Sequence, residues 1–323
     1  MIRLFLRLSL LAVLSASCST PATPFNTPEP TATPVMTSTP SSSPFIILAY
    51  ATDGIVASVI PYDQLTHINY CFLTPKSDGT FNPINNAWKL KQIVGTAHQH
   101  NVRVSISVGG WGWDAQFEEM AANPESRSAF VQNLKAFVDE YQLDGADIDW
   151  EYPDAGQSSQ NFFTLIRELR DAMPDKLLTT AVVSYGDSNG LGIPTESFEL
   201  FDFVNVMTYD GPDHGSMEQF EKGLAYWNER GLPKEKIVMG VPFYGDPDMP
   251  YFKLVQDDPA AAQMDTYDYY GTTFHYNGIP TIQAKTHMAM DKANGIMFWA
   301  LDHDAQGELS LVKAIYQTVH ANP

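Results

Sequence analysis

Eight short apolar runs rich in β-branched and aromatic residues recur along the chain, at 45–50, 67–73, 102–108, 145–150, 177–184, 203–207, 237–242 and 295–301. Runs of this kind suit strands buried on both faces, and the cover must come from the segments between them. Those segments carry the apolar spacing of helices at 88–99, 126–141, 157–172, 217–230, 282–292 and 309–320. Strand and helix alternating in this way over roughly 280 residues predicts an α/β fold closed as a (β/α)8 TIM barrel. A doubly wound open sheet would need a glycine-rich phosphate loop opening a helix, and no such fingerprint occurs. The stretch 246–276 lacks clear periodicity and follows the seventh run. It is read as an elaborated βα loop, with any large insertion domain absent or reduced.

The first forty-four residues belong to another regime. Arg3 and Arg7 precede an apolar stretch at 8–14, which runs into the small residues Ser15, Ala16 and Ser17 before Cys18. That is the order of an export signal, and it is too short to span a membrane as a stable helix. Cys18 after small residues resembles a bacterial lipoprotein cleavage site, although Ser15 stands where an aliphatic residue is expected. A membrane tether through lipidated Cys18 and simple cleavage both stay open. Residues 19–44 are almost entirely Pro, Thr and Ser, a composition that cannot bury a core and extends as a linker. The expected organisation is therefore signal 1–18, linker 19–44 and one barrel domain 45–323, in a protein that leaves the cytoplasm.

A net charge of −19, from 38 acidic against 19 basic residues, repels nucleic acid. Only Cys18 and Cys71 are present, so a disulfide framework is excluded once the signal is gone, and Cys71 in its apolar run reads as a buried thiol. The histidines show no ligand spacing. Neither a metal nor a cofactor is expected.

The chemistry concentrates in Asp144-Gly-Ala-Asp147-Ile-Asp149-Trp-Glu151-Tyr-Pro153. On a strand, Asp147, Asp149 and Glu151 share one face, while Ala146, Ile148 and Trp150 face the helical layer. Pro153 ends the strand just beyond Glu151, which puts that residue at the mouth where barrel enzymes work. Alternating acids on a strand are most often a solvated face, but in a closed parallel barrel neither face is idle. A hard-metal site is the other rival, and the glycine of a calcium loop is missing. Three carboxyls in one pocket cannot all ionise cheaply, so at least one should keep its proton near neutral pH, with Glu151 the best general acid.

The run Asp144-x-x-Asp147-x-Asp149-x-Glu151 resembles the signature of glycoside hydrolase family 18, the chitinases and their relatives. Ser107-Val-Gly-Gly110-Trp111, Met207-Thr-Tyr209-Asp210, Gly240-Val-Pro-Phe-Tyr244-Gly245 and Gly295-Ile-Met-Phe-Trp299 resemble its further strand motifs in the expected order. The resemblance implies cleavage of β-1,4-linked N-acetylglucosamine polymers with substrate-assisted retention. Glu151 would act as acid and then base, Asp149 would hold the acetamido N–H, and Asp147 would share a proton with Asp149. Tyr209 would donate to the acetamido group. Asp210 would tune the acids, Trp299 would form the floor under the sugar, and Trp111 a wall beyond the cleaved bond. Tyr50 and Ser107 would bond to the inner carboxylates, and Gly110, Tyr152, Met207 and Tyr244 complete the expected substrate-binding set. The seventh-strand motif departs from many relatives at Asp246, where arginine is common, which argues for a shallow groove. An endo-β-N-acetylglucosaminidase, a peptidoglycan-type glycosidase and an inactive chitin-binding lectin remain as alternatives. A monomer acting on a polysaccharide is the expected form.

Overall fold

The structure, a computed structural model, describes residue 16 and residues 45–321. The signal and linker assigned to residues 1–44 lie, apart from Ala16, outside the described residues.

Eight parallel strands close into a barrel: β1 (Ile46–Thr52), β2 (His67–Leu73), β3 (Arg103–Gly109), β4 (Gly145–Asp149), β5 (Leu177–Val183), β6 (Phe203–Met207), β7 (Ile237–Pro242) and, after four short excursion strands, β12 (Gly295–Trp299). Each strand pairs with its sequence neighbour, and β12 pairs with β1 to close the ring. The outer layer carries α1 (Ala87–Gln99), α2 (Asp114–Ala122), α3 (Pro124–Glu140), α4 (Gln157–Ala172), α5 (Asp187–Gly190), α6 (Met217–Glu229), α7 (Tyr251–Asp257), α8 (Ile279–Lys292) and α9 (Leu311–His320). Between β1 and β2 the crossover holds only two 3-10 turns, Ala57–Val59 and Tyr62–Gln64.

Local chemistry sets the helix starts. Asn123 caps α3 by accepting from the Glu125 N–H at 2.8 Å, and Pro124 follows at the first helical position. Ser216 caps α6 through the Gln219 N–H. The helix α2 runs almost directly into that Asn123 cap, and its Asp114 accepts a 2.7 Å hydrogen bond from Trp150 Nε1. Trp150 therefore points out of the barrel into the helical layer, with its indole N–H satisfied.

Two apolar clusters follow from the alternation of side chains along the strands. The larger lies between barrel and helices and takes Ala146, Ile148 and Trp150 from β4 and its end. The smaller includes Leu48, Tyr50, Cys71, Ala181, Met207, Tyr209 and Met297, the inward set. Cys71 is buried there as a free thiol, its pKa pushed up by burial and by the Asp149 and Asp147 charges. The excursion after β7 holds the strand pair β8 (Tyr244–Gly245) and β9 (Met249–Pro250), then α7, and the hairpin β10 (Thr266–Tyr269) with β11 (Thr272–His275). What the sequence offers as an irregular loop is thus a short, structured crossover.

Candidate active site

Asp147 lies at the bottom of the site, fully buried, and its four hydrogen bonds come from four strands, the adjacent β3 and β5 and the more distant β1 and β6. Tyr50 (2.9 Å) and Ser107 (2.8 Å) donate to Oδ2, while Thr179 (2.6 Å) and Asn205 (3.1 Å) donate to Oδ1. Asn205 also donates to the Tyr50 hydroxyl at 3.0 Å, so the cradle is braced against itself. Burial raises the Asp147 pKa, and the four donors pull it part of the way back.

Two residues along the strand the surroundings change. Asp149 is also buried, yet its Oδ1 has no hydrogen-bond partner. Burial, then the charges of Glu151 and Asp147, hold its pKa well above the carboxylate range. No hydrogen bond joins Asp147 to Asp149 among the described residues. Glu151, just past the end of β4, is raised to about 7, chiefly by burial, with a further push from the Asp210 charge and a partial offset from Tyr152.

A cavity of about 250 Å³ opens above these acids. Of the residues expected from sequence, Tyr50, Gly110, Trp111, Asp149, Glu151, Met207, Tyr209, Asp210 and Trp299 line it. Ser107, Asp147, Tyr152 and Tyr244 do not. Ser107 and Asp147 form the floor beneath. Tyr244 is turned to donate its hydroxyl to Asp210, and Tyr152 packs on the inward cluster beside Trp299. Ser107 thus bonds to the inner carboxylate as expected, and Tyr244 stands at the edge of the site on Asp210.

The walls are aromatic. Trp299 stacks on Phe72 with ring centroids 5.5 Å apart and lies 6.0 Å from the Tyr50 ring. Trp111 stands at the rim, 80% exposed. Gly109 and Gly110 both have positive φ, and the Gly110 N–H donates to the Asp149 carbonyl at 2.9 Å. A Cβ at Gly110 would meet the Phe72 ring at 2.7 Å, so the glycine pair is needed both for its turn and for close approach to the wall. Among the described residues the Tyr209 hydroxyl meets only the Met297 sulfur, at 3.9 Å, a weak acceptor that it can leave to donate into the cavity. Burial pushes the Asp210 pKa upward, but hydrogen bonding, with the Tyr244 hydroxyl donating to its carboxylate, outweighs this and holds the carboxyl below its usual range.

Sequence reasoning missed Phe72 and Trp113 on the wall, and Thr179 and Asn205 in the floor. Asn205 shares the parity of Met207 and Tyr209 on β6, the same two-residue rule that aligned the acids. Thr179 stands opposite Asp147 in the β4–β5 register. Trp113 follows Trp111 by two residues.

Comparison with known proteins agrees with this geometry. The family model described as "Glycosyl hydrolases family 18" matches residues 46–304. A chitinase-like effector from Moniliophthora perniciosa is 31% identical over 248 residues, covering 64% of this chain and 56% of that protein. The chain spans about half the length, or less, of the curated relatives it matches. Among solved structures, a chitinase from Bacteroides thetaiotaomicron is 30% identical with a TM-score of 0.77, covering 86% of this chain and 97% of its own. The GH18 chitinase ChiB from the chitin utilization locus of Flavobacterium johnsoniae is 29% identical with a TM-score of 0.73, covering 86% and 94%. An eight-stranded barrel with this acidic strand at its mouth, matched along most of its length, makes the chain a member of glycosyl hydrolase family 18.

Proposed function

We propose that the protein hydrolyses β-1,4 linkages between N-acetylglucosamine units, in chitin or its oligosaccharides, with retention and with the help of the substrate's own acetamido group. The observation that carries this reading is the unequal pair at the mouth, a proton-holding Glu151 beside an Asp149 whose Oδ1 lacks a donor. In the first step Glu151 gives its proton to the glycosidic oxygen as the C1–O bond breaks. The acetamido carbonyl oxygen attacks C1 from the other face, closing an oxazolinium ring, and its N–H reaches the vacant Asp149 oxygen. Tyr209 donates to the acetamido group, and Trp299 stacks under the sugar ring. In the second step the Glu151 carboxylate takes a proton from water, whose oxygen attacks C1 and reopens the ring. The two inversions leave the anomeric configuration unchanged.

The test is Glu151→Gln assayed on chitotetraose with early-time anomer detection. Wild type should release β-anomers, and the variant should lose about 10²–10⁴-fold in kcat while still binding the oligosaccharide. Near wild-type turnover in the variant would remove Glu151 from the mechanism. A binding-only barrel is the second reading, whose outcome is a wild-type protein that binds without turnover. Cleavage of glycan cores or peptidoglycan in preference to chitin is the other alternative, decided by the same assay on those substrates.

Export to the cell surface or medium belongs to the same proposal. It rests on Arg3, Arg7, the apolar stretch before Ser15 and the Pro/Thr/Ser-rich residues 19–44.

A further inference from the structure

Lys285 on α8 is completely buried (0% exposed), yet its amine donates to two neutral acceptors, the Gly215 carbonyl at 2.5 Å and Asn277 Oδ1 at 2.7 Å. Asn277 Nδ2 donates to the same carbonyl at 2.8 Å. The lysine lies over the Phe220 ring at 5.4 Å, and burial pushes its pKa down to about 7. A buried amine of this kind is costly; one of its bonds ends on the loop between β6 and α6, and the other on Asn277, which donates to the same Gly215 carbonyl.

That loop reaches the site through Gln219. The Gly215 N–H donates to Gln219 Oε1 at 2.9 Å, and Gln219 Nε2 donates to the Tyr209 carbonyl at 3.1 Å and the Asp210 carbonyl at 2.9 Å. The Asp210 N–H donates to His214 Nδ1 at 3.0 Å, and His214 Nε2 faces the Tyr244 carbonyl at 3.2 Å, an acceptor to which it can only donate. These bonds fall where the barrel supplies none. Pairing of β6 ends at Met207 on the β5 side and at Val206 on the β7 side. Asp210 also has a φ of 63°, in the left-handed region that side-chain-bearing residues enter at some cost, Asp among the least.

We propose that Gln219 and Lys285 are positioning residues of the catalytic site, Gln219 clamping the main chain of Tyr209 and Asp210, and Lys285 anchoring the Gly215 turn on which the clamp is set. The proposal rests on the functional reading above. It assigns a role to two side chains that touch neither substrate nor the acids.

The test uses Gln219→Met and Lys285→Met in the full chain, which remove the polar group, keep most of the side-chain length and add no charge. Both should lower kcat on chitotetraose about tenfold or more with a smaller change in KM, because Tyr209 and Asp210 drift from their working positions. The alkaline limb of the pH–rate profile should also move to lower pH, since a displaced Asp210 no longer holds the proton on Glu151. A support role without catalytic consequence would lower Tm and leave kcat, KM and that limb at wild-type values, which overturns the proposal. Should either variant fail to fold, Gln219→Asn keeps the amide one methylene short of its three partners and carries the same expectation. A wild-type protein without turnover defeats the functional reading alone. The clamp is then read by the calorimetric Kd for chitotetraose, expected to weaken about tenfold and overturning the proposal if unchanged.

Discussion

The floor of the barrel and its mouth hold the same side chain two residues apart and treat it in opposite ways. At the floor, Asp147 accepts four hydrogen bonds from four strands. At the mouth, Asp149 is buried with an oxygen left without a donor, beside Glu151 with its pKa near 7. The floor is satisfied at the expense of freedom, and so it fixes where the strand ends. The mouth is unsatisfied, which costs stability and leaves a polar atom that a ligand can complete. Stability and function thus separate along one strand, within a single turn of its pleat.

That separation can be broken by substitution. Asp149→Asn should cost about 10²–10³-fold in kcat, in the range for removing one preorganised electrostatic group, while its Tm holds or rises. A Tm loss as large as that at the floor would show the mouth to be structural too. Asp147→Ala should do the reverse to stability, lowering it by about 3 kcal/mol in urea unfolding, because buried donors at ~1–3 kcal/mol each lose their acceptor. Little change there would mean the cradle relaxes around the gap. The smallest effect is on the pH dependence of stability. The folded Glu151 pKa, about 7, lies above the unfolded value of 4.5, so the folded state binds the extra proton between them. Its contribution to stability is full below 4.5 and is lost as pH rises through about 7, and Glu151→Gln should flatten the fall in Tm over that window. An unchanged slope would place the linked proton elsewhere.

The same division explains what could be read in advance. The acids were legible because a period of two needs only one strand, and β2, β6 and β7 fall on their expected bounds for a similar reason. The floor was only half legible. Thr179 meets Asp147 through strand register and Asn205 reaches it from β6, two strands away, and one sequence states neither relation. The helix α2 was hidden by its short length and by the Asn123 cap that follows at once. The excursion reads as a loop because its strands, two to four residues long, are too short to carry a clear period. Gln219 and Lys285 were out of reach altogether: the Lys285–Gly215 bond joins residues 70 apart, and nothing in either segment names the other.

The aromatic cavity has a practical corollary. Three of the six tryptophans, Trp111, Trp113 and Trp299, line that one space, whereas Trp150 and Trp227 are sealed in the outer layer. Half of the indoles thus report on the cleft, and a sugar settling on them should announce itself optically without any label.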